Sequence, residues 1–215
     1  MSYLARVKKK DYENLSATNI QKVIMLLEQE KPITKKEACQ ILNISYNTAR
    51  LNKILDEFDE REKYVAKRKA TNKGKRAATY EITEAITNYL RGDSISEIAT
   101  GLYRSAGFVR AILDKVGVPQ RPASAEERTG PCMIPESCVS KEFSEGEKVW
   151  SATYHAPAII DAEAEVENKY ESKGYRVYIL EKSEEAVGGF YAYQLACELG
   201  KLSHLEKYGV DLNKI

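Results

Sequence analysis

The chain lacks any run of about 18 consecutive apolar residues, and this argues against a transmembrane helix. Its first ten residues are polar and basic, so we expect no secretory signal. Histidine occurs only twice, and the four cysteines, at positions 39, 132, 138 and 197, do not have the spacing of a zinc site. These absences predict a cytoplasmic protein with reduced thiols, no metal and no cofactor.

The sequence also lacks a convincing catalytic constellation. His155 lies near Asp161, but no serine or cysteine nucleophile occupies a recognisable turn motif beside them. The pair Gly188-Gly189 is too short to form a phosphate-binding loop. We therefore predict that the protein is not an enzyme.

Charge is distributed unevenly although the net charge is only +1. Residues 1–122 hold 23 Lys and Arg against 15 Asp and Glu, whereas residues 123–215 hold 10 against 17. A basic part suits contact with phosphates, and an acidic part suits a different partner, such as a protein or a second copy. The alternative is that the asymmetry only keeps two unrelated domains in solution.

Two copies of one pattern lie sixty positions apart, at 37–50 and 97–110. Four positions match between them: Glu37 and Glu97, Leu42 and Leu102, Ser45 and Ser105, Arg50 and Arg110. Cys39 and Ala99 share a position where only a small side chain fits between crossing helices. An amphipathic stretch precedes each copy, at 20–27 and 82–90. The pattern predicts two helix-turn-helix units, and a bundle of short helices without a nucleic-acid role is the alternative.

Helix-start signals accompany both copies. Thr34 and Ser94 precede the first helix of each pair, and Ser45 and Ser105 are the predicted N-caps of the second. The apolar positions of the two second helices do not correspond fully: Val109, Ile112, Leu113 and Val116 form a clean stripe, whereas Thr48, Leu51, Leu55 and Phe58 are shifted by one position. We expect the ends or the docking angle of these two helices to differ.

The chain divides into five predicted segments. These are a basic arm at 1–16, a helix-turn-helix with a basic extension at 17–81, a second helix-turn-helix at 82–118, a proline-containing linker at 119–138 and a small β-rich domain at 139–215. The basic extension is either a hairpin wing, with strands at 63–69 and 76–81, or a flexible linker. The predicted fold class is α+β.

The β-rich domain carries four predicted strands, at 146–150, 157–162, 174–180 and 188–195. A short helix is expected at 201–207. Short strands separated by turns are typical of a small β-barrel.

Several segments resemble known families. Residues 34–56 and 94–116 resemble helix-turn-helix DNA-binding domains, and 94–109 is similar to the DNA-binding tails of resolvases. Residues 145–195 resemble an SH3-like barrel of the kind attached to integrases and transcription factors. The whole architecture is similar to small regulators encoded by large phages. The resemblance implies double-stranded DNA as a partner, in the cytoplasm of a bacterial or phage-infected cell.

These observations predict a DNA-binding regulatory protein whose acidic part at 139–215 contacts a protein partner or mediates homo-oligomerisation. Tyr46, Asn47 and Arg50 are the predicted base-reading residues. The other predicted DNA contacts are Lys35, Lys36, Ser45, Lys53, Lys67, Arg68, Lys69, Lys73, Lys75, Arg76, Arg104, Ser105 and Arg110. The alternatives are an oligomeric DNA packaging or recombination accessory protein, and a structural or interaction protein that does not bind DNA.

Overall fold

A computed structural model describes residues 9–122, 130–166, 172–181 and 188–215. The first eight residues of the predicted basic arm, with Arg6 and Lys8, lie outside the described residues. The chain forms two compact units, Met1–Lys73 and Gly74–Ile215. The fold is α+β, with helices in the first 116 residues and an antiparallel sheet in the C-terminal part.

The first unit contains three helices, α1 (Ala17–Leu27), α2 (Lys35–Ile41) and α3 (Thr48–Asn72). Thr34 caps α2, since its hydroxyl accepts from the Glu37 N–H while the Glu37 carboxylate accepts from the Thr34 N–H. The helices enclose a core made of Ile20, Val23, Ala38, Cys39, Leu42, Ile44, Leu51 and Ile54.

The second unit begins with three helices in the same order, α4 (Thr79–Leu90), α5 (Ile95–Gly101) and α6 (Ala106–Val116). Ser94 caps α5 with Glu97 as Thr34 caps α2 with Glu37. Asn43 and Tyr103, sixty positions apart, both adopt a left-handed conformation directly after these helices, at φ 50° and 54°. The repeat seen in the sequence is therefore a repeat of backbone structure up to this turn.

The turn into the third helix differs between the units. Helix α6 begins after Ser105, whose hydroxyl accepts from the Phe108 N–H as predicted. Helix α3 begins after Asn47, whose side chain accepts from the Arg50 N–H, so the predicted cap at Ser45 is wrong. The first turn is two residues longer, and Leu51 and Ile54 correspond to Val109 and Ile112. This insertion accounts for the shifted apolar stripe.

Helix α3 continues for 25 residues, so residues 63–72 form neither the predicted wing nor the alternative flexible linker. Residues 63–69 are helical instead of forming a strand, and Ile54 is the last buried residue of the helix. Lys, Arg, Glu and Ala have high helix propensity, so this part of α3 can be helical without tertiary packing. An ion pair between Asp59 and Lys63, at 2.6 Å, further stabilises the helix. Gly74, at φ 75°, follows the end of the helix.

Five antiparallel strands form the sheet: β1 (Lys148–Ser151), β2 (Ala156–Ala164), β3 (Gly174–Glu181), β4 (Gly188–Leu195) and β5 (Leu199–Lys201). Their order is β4-β3-β2-β1-β5. The four predicted strands are confirmed, and β5 was not predicted. The described sheet is open, with β4 and β5 at its edges. A 3₁₀ helix at Ser203–Tyr208 replaces the predicted helix at 201–207.

Helices α4 to α6 share one core with the C-terminal part of the chain. Trp150 and Leu205 pack in the same buried cluster as Leu90 and Leu113. The Arg121 guanidinium lies 4.7 Å from the centre of the Tyr89 ring and 5.5 Å from that of Trp150. The segment predicted as a linker at 119–138 therefore begins inside a packed unit, and its residues 123–129 lie outside the described part.

One buried polar side chain in the sheet has no partner among the described residues. Gln194 on β4 is 2% exposed, and neither its amide nitrogen nor its oxygen has a hydrogen-bond partner there. Since an unsatisfied buried amide costs about 1–3 kcal/mol, we expect Gln194→Leu to raise the free energy of unfolding by about 1 kcal/mol. Urea denaturation of both proteins measures the difference. A loss of stability would instead indicate that Gln194 binds water or another group.

Candidate nucleic-acid interface

The loop before α3 and the first exposed turns of α3 form one candidate surface in the first unit. Tyr46 is 65% exposed, and Asn52 and Lys53 lie on exposed positions of the helix. Asn47 is exposed too, but its side-chain oxygen is occupied in capping α3. The sequence interpretation missed Asn52. The feature that could have identified Asn52 is the helix start two residues later than predicted, because this shift places position 52 on the exposed side.

Arg50, a predicted base-reading residue, is engaged within the first unit. Its Nη2 donates to both carboxylate oxygens of Glu13, at 2.7 and 2.8 Å, and the Glu13 side chain is 2% exposed. The Lys10 N–H also donates to Glu13, and this hydrogen bond lowers the pKa of the carboxyl group. Burial acts in the opposite direction and raises the pKa, whereas Arg50 lowers it further. The ion pair fastens the segment before α1 to the start of α3. Residues 9–16, part of the segment predicted as a poorly ordered arm, are therefore attached to the helices, with Glu13 buried and most of the other side chains exposed.

Arg104 is similarly engaged in the second unit. Its Nε and Nη2 donate to the two carboxylate oxygens of Glu81, at 2.7 and 2.9 Å, and the two side chains are 7% and 2% exposed. Its Nη1 also donates to the Lys75 carbonyl, at 3.2 Å. The hydrogen bonds from Arg104 and the Ala78 N–H lower the pKa of Glu81, against the effect of burial. These contacts tie the turn before α6 to the segment that leads into α4.

Helix α6 presents a different set of groups. Ser105 caps the helix, and Ala106 and Gly107 offer little to a base edge. Arg110 is exposed beside the buried stripe that includes Val109 and Ile112, and its guanidinium has no ion pair with a described residue. It is a guanidinium on an exposed helix face, which is the group that binds guanine in the major groove.

The remaining predicted contacts lie on exposed surface. Lys35 and Lys36 occupy the first turn of α2. Lys67, Arg68 and Lys69 lie in the last turns of α3, and Lys73 follows its end. Lys75 and Arg76 lie between α3 and α4. An acidic stretch at 56–62 separates this basic segment from the start of α3, and Lys63 is already paired with Asp59.

Among the described residues, a buried cysteine lies close to a histidine in an arrangement that resembles a catalytic pair. Cys138 Sγ lies 4.0 Å from His204 Nε2, and both atoms are within 3.3 Å of the Gly117 carbonyl oxygen. Burial raises the pKa of the Cys138 thiol to about 11, so it remains protonated at neutral pH and is a poor nucleophile. The arrangement connects the end of α6 to the helix at Ser203–Tyr208.

Comparison with known proteins gives no match: no family model, curated protein or solved structure corresponds to this chain. Within the described ranges, no three His, Cys, Asp or Glu side chains are placed to hold a metal ion. None of the described helices has the length and apolar character needed to cross a bilayer.

Proposed function

We propose that the protein is a DNA-binding regulator that contacts duplex DNA through two helix-turn-helix units, α2–α3 and α5–α6. The observation that carries the proposal is the repeated backbone geometry: a capping box, a short helix, a left-handed residue and a capped second helix occur in both units. A helix placed after such a turn can enter the major groove. The excess of Lys and Arg over residues 1–122 adds attraction to phosphates.

The residues that we propose as DNA contacts differ from those predicted from the sequence. Arg50 and Arg104 hold Glu13 and Glu81, so a DNA contact through either guanidinium requires the ion pair to open. We assign base contacts instead to Arg110 on α6 and to Tyr46, Asn52 and Lys53 around the start of α3. The exposed amines of Lys35 and Lys36 suit phosphate contacts, which orient the protein without reading sequence.

The acidic part of the second unit is proposed to contact a protein. Residues 123–215 carry an excess of Asp and Glu, which opposes contact with a nucleic-acid backbone. A five-stranded antiparallel sheet with a 3₁₀ turn between β4 and β5 is compatible with the SH3-like domain that the sequence resembles.

Substitution of Arg110 tests the assignment of base contacts. We expect Arg110→Ala to cost about 1–3 kcal/mol of binding free energy on a preferred duplex, because its bidentate hydrogen bonds to one guanine can no longer form. Binding to a scrambled duplex should change little. The preferred duplex comes from selection out of a random pool with the full-length protein, and affinities are measured at one salt concentration.

Lys115→Ala is the matched control, since it removes one exposed positive charge from the last turn of the same helix. It should reduce binding to both duplexes equally and slightly. If Arg110→Ala also weakens both duplexes equally, Arg110 contacts only phosphates. If the wild-type protein shows no salt-dependent binding to any duplex, DNA binding itself is disproved.

A further inference from the structure

Strand β4 forms an edge of the described sheet, and no described strand pairs with its outer side. Its eight residues, Gly188–Leu195, include no charged side chain and no proline. Natural edge strands usually carry such residues, because an unpaired row of backbone donors and acceptors recruits other chains. An uncharged edge strand rich in aromatic residues therefore indicates a surface that another chain covers.

The backbone of two tyrosines faces this free edge. The Ala196 N–H donates to the Lys173 carbonyl across the end of the β3–β4 pair, at 2.8 Å. Because hydrogen-bonded and non-bonded pairs alternate in an antiparallel ladder, Tyr191 and Tyr193 direct their N–H and C=O groups away from β3. The next outward N–H, that of Leu195, is occupied by Glu198 at 2.8 Å. By the same alternation Gly189 also faces outward, so the available edge is short and runs from Gly189 to Tyr193.

Aromatic rings flank this edge. Tyr191 and Tyr193 are 60% and 63% exposed, and Tyr178 lies against Tyr191 with ring centres 5.0 Å apart. Phe190 points to the other face of the strand, and the centre of its ring lies 5.1 Å from that of the exposed Tyr154. An added strand would place successive side chains against these two groups of rings in turn.

We propose that the free edge of β4 binds an extended, basic segment of a partner protein by strand addition. The inference rests on the proposed protein-binding role of the acidic part and names its site. Residues 123–215 carry 17 Asp and Glu against 10 Lys and Arg, which favours a basic segment. Arg176 shows how a cation is held here, because its guanidinium pairs with Asp161 and lies 5.5 Å from the centre of the Tyr191 ring.

A second copy of the chain is the less suitable occupant. The exposed fractions of the four aromatic side chains at the edge, Tyr154, Phe190, Tyr191 and Tyr193, are 42%, 37%, 60% and 63%. If a whole aromatic side chain offers roughly 150–250 Å², the four together expose only about 300–500 Å². A stable interface buries about 800 Å² on each partner. In strand addition the main-chain hydrogen bonds supply much of the affinity, so a short edge with few pockets is sufficient.

The test uses the full-length protein and a synthetic eight-residue peptide of alternating lysine and valine. Amide NMR shifts locate the contact, and titration gives the affinity. We expect shifts concentrated at residues 188–195. Three comparison peptides are needed. In the first, every second backbone nitrogen is methylated, which keeps the charge but removes the hydrogen-bond donors on one edge of the peptide; in the second, the other backbone nitrogens are methylated. The third has glutamate in place of lysine. The glutamate peptide and one of the two methylated peptides, the one that lacks donors on the edge facing β4, should bind at least tenfold more weakly than the unmodified peptide.

The double variant Tyr191→Lys/Tyr193→Lys should also weaken binding at least tenfold, because it places two cations on the edge. Tyr80→Lys is the control, since it changes a 65% exposed tyrosine elsewhere and should leave the affinity unchanged. Equal binding of both methylated peptides, or shifts scattered over the acidic surface, would overturn the proposal. Concentration-dependent shifts at 188–195 without peptide would overturn it too, by assigning the edge to a second copy. DNA binding is measured separately, so its failure is distinguishable.

Discussion

Replacing Arg104 with alanine is expected to lower the free energy of unfolding by about 2–4 kcal/mol, since it leaves a buried carboxylate without its partner. Glu81 is 2% exposed and accepts from Arg104 at 2.7 and 2.9 Å. The same change removes the hydrogen bond to the Lys75 carbonyl. Urea denaturation of the full-length protein, followed by circular dichroism, measures the effect through the shift in midpoint.

Arg110→Ala serves as the control, because it removes an exposed arginine from the adjacent helix and should change stability by less than about 0.5 kcal/mol. The paired change Glu81→Leu/Arg104→Met should recover part of the stability, since no uncompensated charge remains. A wild-type midpoint for Arg104→Ala would contradict the structural role and return Arg104 to the candidate DNA contacts.

The pH dependence of stability gives an independent check on the same ion pair. The pKa of Glu81 is lowered in the folded protein, chiefly by the hydrogen bond from Arg104. Its contribution is therefore present above the ordinary carboxyl pKa and is lost as the pH falls through the folded value. The wild-type protein should lose stability on acidification more steeply than Glu81→Gln.

Local signals in the sequence predicted most of the secondary structure. Thr34 and Ser94 cap their helices as expected, and the four strands from 148 to 195 occur where alternation and turn residues placed them. Capping and alternation are properties of neighbouring residues, so they can be recognised without knowledge of tertiary contacts. The extent of α3 was missed because its charged second half also fits a linker or a wing.

The roles of the arginines depend on distant residues and could not be predicted in this way. Glu13 lies 37 positions before Arg50, and Glu81 lies 23 positions before Arg104. The spacing of the repeat aligned Arg50 with Arg110, but the longer turn before α3 places Arg50 where it meets Glu13. An arginine in a helix-turn-helix pattern has the same local sequence whether it binds DNA or a buried carboxylate.

Removal of three lysines from the basic end of α3 is expected to weaken binding to every duplex by about 10–100-fold at moderate salt, because fewer neutralised phosphates release fewer counterions. Lys67 and Lys69 are exposed in the last two turns of the helix, and Lys73 is exposed directly after it. Lysine is a mobile point charge, which suits phosphate contact better than base recognition. Alanine is a strong helix former, so the triple substitution to alanine should leave α3 intact.

The length of α3 would separate this proposed phosphate contact from the proposed base contacts. Lys67 lies fifteen residues after Asn52, which is about 22 Å along a helix that rises about 1.5 Å per residue. The intervening acidic stretch at 56–62 is repelled by phosphates. In the proposed complex the basic end would therefore meet phosphates away from the groove that the start of α3 would enter, and its removal should affect preferred and scrambled duplexes alike.

The measurement is a binding titration at several salt concentrations on both duplexes. The slope of log affinity against log salt should fall by roughly 1 for each phosphate that is no longer neutralised. The matched control is Lys22→Ala/Lys31→Ala/Lys141→Ala, which removes three exposed lysines from other parts of the chain. An unchanged slope would place the basic end away from DNA. A weakening confined to the preferred duplex would show that this segment recognises bases, since phosphate contacts cannot distinguish the two sequences.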